Sequence, residues 1–284
     1  MTEASDGRRQ LAVLGSPISH SQSPVLHRAA YAVLGLPWSY EPREVRDREL
    51  SSFLGGLDES WQGLSLTMPL KREVLPLLDT RSSLVDVVGG ANTVLLVDGV
   101  HGFNTDVGGI VAAFREAGVE TLRDVHILGA GATAASMLAA VSQLGATRAV
   151  VSARDPEKVA SLRAVADAVG LELEARALGV AVAVGQAPSA VVSTLPGGAA
   201  DALPEFALAV RRESVLFDVA YAPWPSALAR SWHEAHGTVI QGLSMLLYQA
   251  IAQVRIFVTG REDGQLPREA EVAAAMRSAV GLVN

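Results

Sequence analysis

Short apolar runs, each ending in glycine or a polar cluster, recur along the chain. "QLAVLG" (10–15) is the first, and it reads as a buried strand. The next run, "PVLHRAAYAVLG", has helical spacing. Leu26, Ala29, Ala30 and Val33 recur at i, i+3, i+4 and i+7, and Gly35 and Pro37 stop it. "WSYEPREV" predicts a second strand, "ELSSFLGGL" a short helix, and "WQGLSLTMP" a third strand running into a turn. Asp98-Gly99 lies between apolar runs, which is a hairpin signal. "VGGIVAAFREAG" follows as a helix.

Beyond residue 107 the rhythm changes. "DVHILGAGATAASMLAAVSQLGATRAVVSARDPEKVASLRAVADAV" reads as strand, glycine turn, helix, strand, turn, helix. That alternation implies a parallel sheet with right-handed crossovers. "SAVVSTLP" and "SVLFDVAY" add buried strands, and "SMLLYQAIAQVRIFVTG" is a long apolar helix. The pattern is α/β with two domains, divided near residue 107. The 284 residues suffice for two cores of ordinary size.

Composition narrows the partners. A net charge of −7 lacks the basic excess of a nucleic-acid or anionic-membrane binder. With no cysteine, thiolate nucleophiles and Cys-ligated zinc are excluded. The six histidines show no short metal-ligand spacing, so no metal site is expected. The N-terminal stretch lacks a signal h-region, and no apolar run of 18 residues or more occurs. A soluble cytoplasmic protein is the expectation.

"LGAGATAAS" carries Gly129, Ala130, Gly131 and Ala132 between a strand and a helix, with Ala134 at the third motif position. Gly129 permits a tight turn, and Gly131 lets the backbone approach a pyrophosphate at the helix N-terminus. An ordinary βα turn is the competing reading. At the end of the second strand Ala153 is followed by Arg154, with Lys158 at i+4 as the other half of a phosphate clamp. This favours NADP over NAD. Asp155, an N-cap before Pro156 at the first helical position, weakens the phosphate site.

Three polar islands follow apolar runs in the first domain: "SHSQSP", "LTMPLK" and "GGANTV…GFNTD". Ligands of open α/β sheets collect at the carboxyl ends of strands. Each island also has a plain structural explanation. Ser23 caps a helix with Pro24 at N1, Thr67 and Pro69 make a turn, and Asn92 is a left-handed turn residue. Asp106 caps a helix beginning near Val107, and His20 and His27 are structural.

The order and spacing of these pieces, with "DVAYAPWPSAL" and "QGLSMLLYQA", resemble the shikimate dehydrogenase family along nearly the full chain. The resemblance implies NADP-linked reduction of 3-dehydroshikimate to shikimate in aromatic amino acid biosynthesis. It implies a substrate domain with a mixed, mainly parallel sheet (1–106, completed by 243–284) and a Rossmann-like NADP-binding domain (107–242). By the same resemblance, Ser21 and Ser23 hold the substrate carboxylate, and Thr67 contacts substrate beside the catalytic Lys71. Asn92 and the catalytic Asp106 hold ring hydroxyls, while Tyr221 and Gln249 complete the substrate set. Thr194, Val219, Gly242 and Met245 join the glycine turn, Arg154 and Lys158 around NADP. Partners are limited to small molecules, and the assembly is a monomer or homodimer.

Two departures stand out. The family usually has Asn-Val-Thr before the lysine, and here it is Ser65-Leu66-Thr67. The cofactor loop usually reads Asn-Arg-Thr, and here it is Ala153-Arg154-Asp155. An NAD-using quinate or aminoshikimate paralogue and a non-catalytic ligand sensor are the competing functions. The intact Ser23 favours shikimate, and the pair Lys71 and Asp106 favours an enzyme.

Overall fold

A computed structural model describes residues 7–155, 157–179 and 187–282. Pro156, expected at a helix start, lies outside the described residues. The chain divides into two compact units, 1–105 with 246–284, and 106–245. The sequence places the boundaries at 106/107 and 242/243, whereas here Asp106 and residues 243–245 fall in the second unit.

The first unit is built on strands β1 (Gln10–Gly15), β2 (Ser39–Glu44), β3 (Trp61–Leu66), β4 (Thr80–Arg81), β5 (Thr93–Leu95) and β6 (His101–Phe103). They form one sheet in the order β2-β1-β3-β5-β6-β4. β1 pairs in parallel with β2 and β3, and β4 with β6. The β3–β5 and β5–β6 pairs are antiparallel. The hairpin expected at Asp98-Gly99 joins β5 to β6, and both residues have positive φ (56° and 133°). Helices α1 (Ser23–Leu34), α2 (Leu50–Gly55), α3 (Leu70–Glu73) and α4 (Ser83–Val88) connect these strands. One core cluster includes the fully buried Leu14, Leu50, Leu64 and Leu70. Burying each such side chain stabilises by about 1.5–3 kcal/mol before chain entropy is counted.

α1 corrects two expectations. Ser23 is its first residue rather than its cap, because Gln22 takes that position. Its buried stripe runs through Ser23, Leu26, His27, Ala30 and Tyr31, while Ala29 and Val33 are only half-buried. His27 and Tyr31 bond to each other at 3.1 Å, which lets two polar residues take the inward face.

The second unit is a parallel sheet of β7 (Asp124–Leu128), β8 (Arg148–Ala153), β9 (Glu172–Ala177), β10 (Ala190–Ser193), β11 (Val215–Asp218) and β12 (Val239–Gln241). The order β12-β11-β10-β7-β8-β9 puts a switch point between β7 and β10. This is the doubly wound dinucleotide-binding order, and the crevice at such a point is where ligands bind. Helices α5 (Asp106–Glu116), α6 (Ala132–Gln143), α7 (Glu157–Ala168), α8 (Leu208–Glu213) and α9 (Ala227–Glu234) belong to this unit. Asp106 is the first residue of α5, not a cap outside it. Phe114 meets Phe217 edge-on at 5.0 Å, and Phe206 meets Trp232 at 5.3 Å.

Helix α10 (Gly242–Thr259) contains the division between the units, and α11 (Glu269–Ala279) follows it. By length and composition α10 is apolar enough to cross a membrane. However, 61% of it is buried within the protein, and its inward residues include Gln249 and Gln253, as suits a core helix.

Candidate active site

In the first unit the three polar islands converge at the carboxyl ends of β1 and β3. The Ser16 N–H donates to the Met68 carbonyl (3.0 Å), and the Thr67 N–H donates to Leu14 (2.9 Å). A Cβ at Gly15 would overlap the Thr67 methyl, so only glycine lets the first island reach the second. The third island joins through backbone bonds. Leu66 N–H donates to Asn92 O (2.7 Å), and Ala91 N–H donates to Lys71 O (2.8 Å). Lys71 is half-buried in the first turn of α3, with its backbone pinned beside Asn92.

Ser21, not Ser23, supplies the hydroxyl that accepts at the start of α1. The Ser21 hydroxyl oxygen accepts the Ser23 N–H at 3.3 Å, which occupies a donor at the helix start. Its own proton is left to offer to an anion. Ser23 is buried and neighbours the Tyr40 phenol. Ser21→Ala is therefore expected to raise the KM for the carboxylate substrate that the sequence resemblance implies roughly tenfold, the low end for a hydrogen bond to a charged group. Steady-state kinetics checks this, and an unchanged KM counts against carboxylate binding at Ser21.

Asn92 is not in a left-handed conformation, contrary to the turn reading. Its amide sits in a buried web. Its Oδ1 accepts from Thr105 N (2.8 Å) and the Thr93 hydroxyl (2.9 Å). Its Nδ2 donates to the Thr105 hydroxyl (2.9 Å) and to Gln249 Oε1 (3.3 Å). Gln249 Nε2 donates in turn to the Leu246 carbonyl (2.9 Å). Ser65, which replaces the family's asparagine, accepts from the Tyr40 phenol (2.6 Å) and donates to Gln253 Oε1 (2.8 Å). Sequence reasoning misses Thr105, Tyr40 and Gln253. The only signal for them is a polar residue at a position that its element buries.

His27 stacks on Tyr40 with ring centroids 3.9 Å apart. Burial lowers its imidazole to about 3, against the hydrogen bond to Gln253, and burial holds the Tyr40 phenol well above its usual range. The unfolded histidine titrates near 6.5. Between about 3 and that value the unfolded state binds the extra proton, so stability falls as pH drops through the window. The slope reaches up to ~1.4 kcal/mol per pH unit for one such group. The urea midpoint of the wild type is expected to fall below pH ~6.5, and His27→Gln to flatten that fall. His126 in the second unit, lowered to about 4 chiefly by burial and then by Arg176, adds dependence of the same sign and remains in the variant. Equal slopes in the two proteins would contradict the assignment.

In the second unit the dinucleotide turn takes the predicted place after β7. Gly129 has φ +105°, and its N–H donates to Ser152 O at the end of β8 (2.8 Å). A Cβ on Gly129 would lie 2.5 Å from Thr194 Oγ1, which itself donates to the Leu128 carbonyl (2.9 Å). The space around Gly131 is open, and no side chain caps the 12-residue helix that follows. The first N–H groups of α6 and the open glycine fit a pyrophosphate. A Cβ at Gly242 would overlap the Val219 carbonyl, so those two positions are in close contact. Asp218, raised chiefly by burial, accepts from Ala220 N (3.1 Å) and the Ser226 hydroxyl (2.6 Å) and anchors the loop bearing Val219 and the half-buried Tyr221.

Arg154 and Lys158 are both exposed after β8. Arg154 lies between β8 and α7, and Lys158 is in the first turn of α7. Asp155 accepts the Glu157 N–H at 3.0 Å, which spends its carboxylate partly on the helix start.

A family model described as the shikimate dehydrogenase substrate binding domain matches residues 13–94. Shikimate dehydrogenase (NADP(+)) of Methanothrix thermoacetophila is 35% identical, over 93% of this chain and 97% of its own. The chain belongs to the shikimate dehydrogenase family. Among solved structures, Mycobacterium tuberculosis shikimate dehydrogenase is 36% identical with a TM-score of 0.81, covering 95% of this chain and 99% of that one. Shikimate 5-dehydrogenase of Thermus thermophilus, solved in complex with NADP(H) and shikimate, is 29% identical with a TM-score of 0.79, covering 95% and 99%. The likeness to the shikimate dehydrogenase fold thus extends over both units.

Proposed function

We propose that this shikimate dehydrogenase catalyses the reversible NADP-linked reduction of 3-dehydroshikimate to shikimate in aromatic amino acid biosynthesis. The observation that carries the reading is the meeting of the Leu14–Ser16, Leu66–Lys71 and Ala91–Asn92 segments at one sheet end, from which the chain runs on to Ser21. Residues 1–105 with 246–284 carry the substrate-binding part, and 106–245 the NADP-binding part.

Ser21 and Ser23 bind the carboxylate, Ser21 with the proton its geometry leaves available. Asn92, Thr67, Tyr221 and Gln249 orient the ring. Gly129–Ala132, Arg154, Lys158, Thr194, Val219, Gly242 and Met245 would hold NADPH, which would supply the hydride for the C3 carbonyl. The Lys71 ammonium, at a working distance of about 3 Å, gives a proton to the developing alkoxide and takes it back in the reverse direction. Asp106 holds the adjacent hydroxyl. The reading includes a cytoplasmic enzyme, monomeric or homodimeric, with small-molecule partners.

The test compares kcat/KM for shikimate and quinate, each with NADP and NAD. Shikimate with NADP is expected to dominate. Preference for NAD overturns the cofactor assignment, and preference for quinate overturns the substrate assignment.

A further inference from the structure

One hydrogen-bond network runs beneath the site from Tyr40, the neighbour of the proposed ligand Ser23, to the proposed ligand Asn92. From the carboxylate end, Tyr40 donates to Ser65 (2.6 Å). Ser65 donates to Gln253 Oε1 (2.8 Å). Gln253 Nε2 donates to the Asn92 carbonyl (3.2 Å) and to Thr93 Oγ1 (3.1 Å). Thr93 donates its proton to Asn92 Oδ1 (2.9 Å). Gln253 is thus the hub, with acceptor and donors facing opposite ends of the site. It is 1% exposed, and both ends of its amide are engaged within the protein.

An amide in that place is useful only in one of its two flipped orientations. His27 selects it. Gln253 Oε1 cannot donate, so His27 Nε2 carries the proton in their 3.1 Å bond. Neutral His27 then presents Nδ1 as an acceptor, and the Tyr31 hydroxyl donates to it (3.1 Å). The same imidazole lies flat on the Tyr40 ring, 10° from parallel.

We propose that His27 is a positioning residue for the substrate site: it fixes Gln253, and hence Asn92, by hydrogen bonding, and Tyr40, and hence Ser23, by stacking. The inference rests on the reading of Ser23 and Asn92 as substrate ligands. His27 reaches neither the substrate nor the reacting atoms, so its removal acts on binding and not on the chemical step.

His27→Leu removes the donor, and His27→Gln restores an N–H near the place of Nε2. In the leucine variant the KM for shikimate is expected to rise roughly tenfold, with kcat within ~3-fold and the KM for NADP unchanged. The glutamine variant is expected to return the shikimate KM to within ~3-fold of wild type. An unaltered shikimate KM in the leucine variant overturns the proposal, and so does a rise that glutamine does not reverse. If the leucine variant does not fold, Tyr31→Phe decides. Loss of the donor to Nδ1 is then expected to raise the shikimate KM ~3-fold at constant kcat, and no change overturns the proposal. A wild type that does not turn over shikimate defeats the functional reading itself. A wild type that does, with a silent His27→Leu, defeats only the positioning role.

Discussion

Lys71→Ala is expected to lower kcat by ~10²–10⁴, the range for losing a general acid, while shikimate binding stays within ~3-fold of wild type. The backbone bond from Ala91 N–H to the Lys71 carbonyl (2.8 Å) does not depend on the side chain, so the turn keeps its shape. The loss then falls on proton transfer alone. Lys71→Arg separates charge from proton exchange. Guanidinium keeps the cation but does not give up its proton near neutral pH, so arginine is not expected to restore turnover. Normal turnover by Lys71→Ala would remove the lysine from the mechanism.

Gly129→Ala is expected to raise the Kd for NADPH by ~10–10², from roughly 1–3 kcal/mol of backbone strain in the turn. The φ of +105° is one that L side chains rarely adopt. The added methyl would also press on Thr194 Oγ1 at 2.5 Å and compete with its bond to the Leu128 carbonyl. Fluorescence titration of NADPH reads the effect directly. Shikimate affinity is expected to stay near wild type, because its proposed ligands Ser21, Ser23, Thr67, Asn92 and Gln249 lie in the other unit, and Asp106 and Tyr221 are outside the glycine turn. An unchanged NADPH Kd would show that the turn does not carry the pyrophosphate.

Much of this arrangement was legible in the sequence because each local signal agreed with its neighbours. β1, β3, β7, β8, β10 and β11 are apolar runs with polar punctuation, and the glycine turn falls between a clear strand and a clear helix. β9 escaped because Glu172, Glu174 and Arg176 alternate through it. Glu174 is paired with Arg148 and Arg176 at 2.6 Å each, so charge replaces the apolar signal. β4 and α3 are too short for periodicity, and α9 is only two turns long.

The polar islands could be named from the sequence, but the web that supports them could not. His27 reaches Gln253 across 226 residues, and Ser65 reaches it across 188. No local pattern encodes such pairs, and a histidine on a helix face reads as structural until its partners are known. The roles of Ser21 and Ser23 were misplaced for a related reason. A cap is set by backbone conformation, and Gln22 rather than Ser23 turns the chain into α1.

The central claim is tested most directly by mixing the purified protein with NADPH and 3-dehydroshikimate and following the nicotinamide absorbance. The account predicts that NADPH is consumed in step with shikimate formed, one for one, and that the reaction reverses when NADP and shikimate are supplied. NADPH left unconsumed in the presence of 3-dehydroshikimate would contradict it.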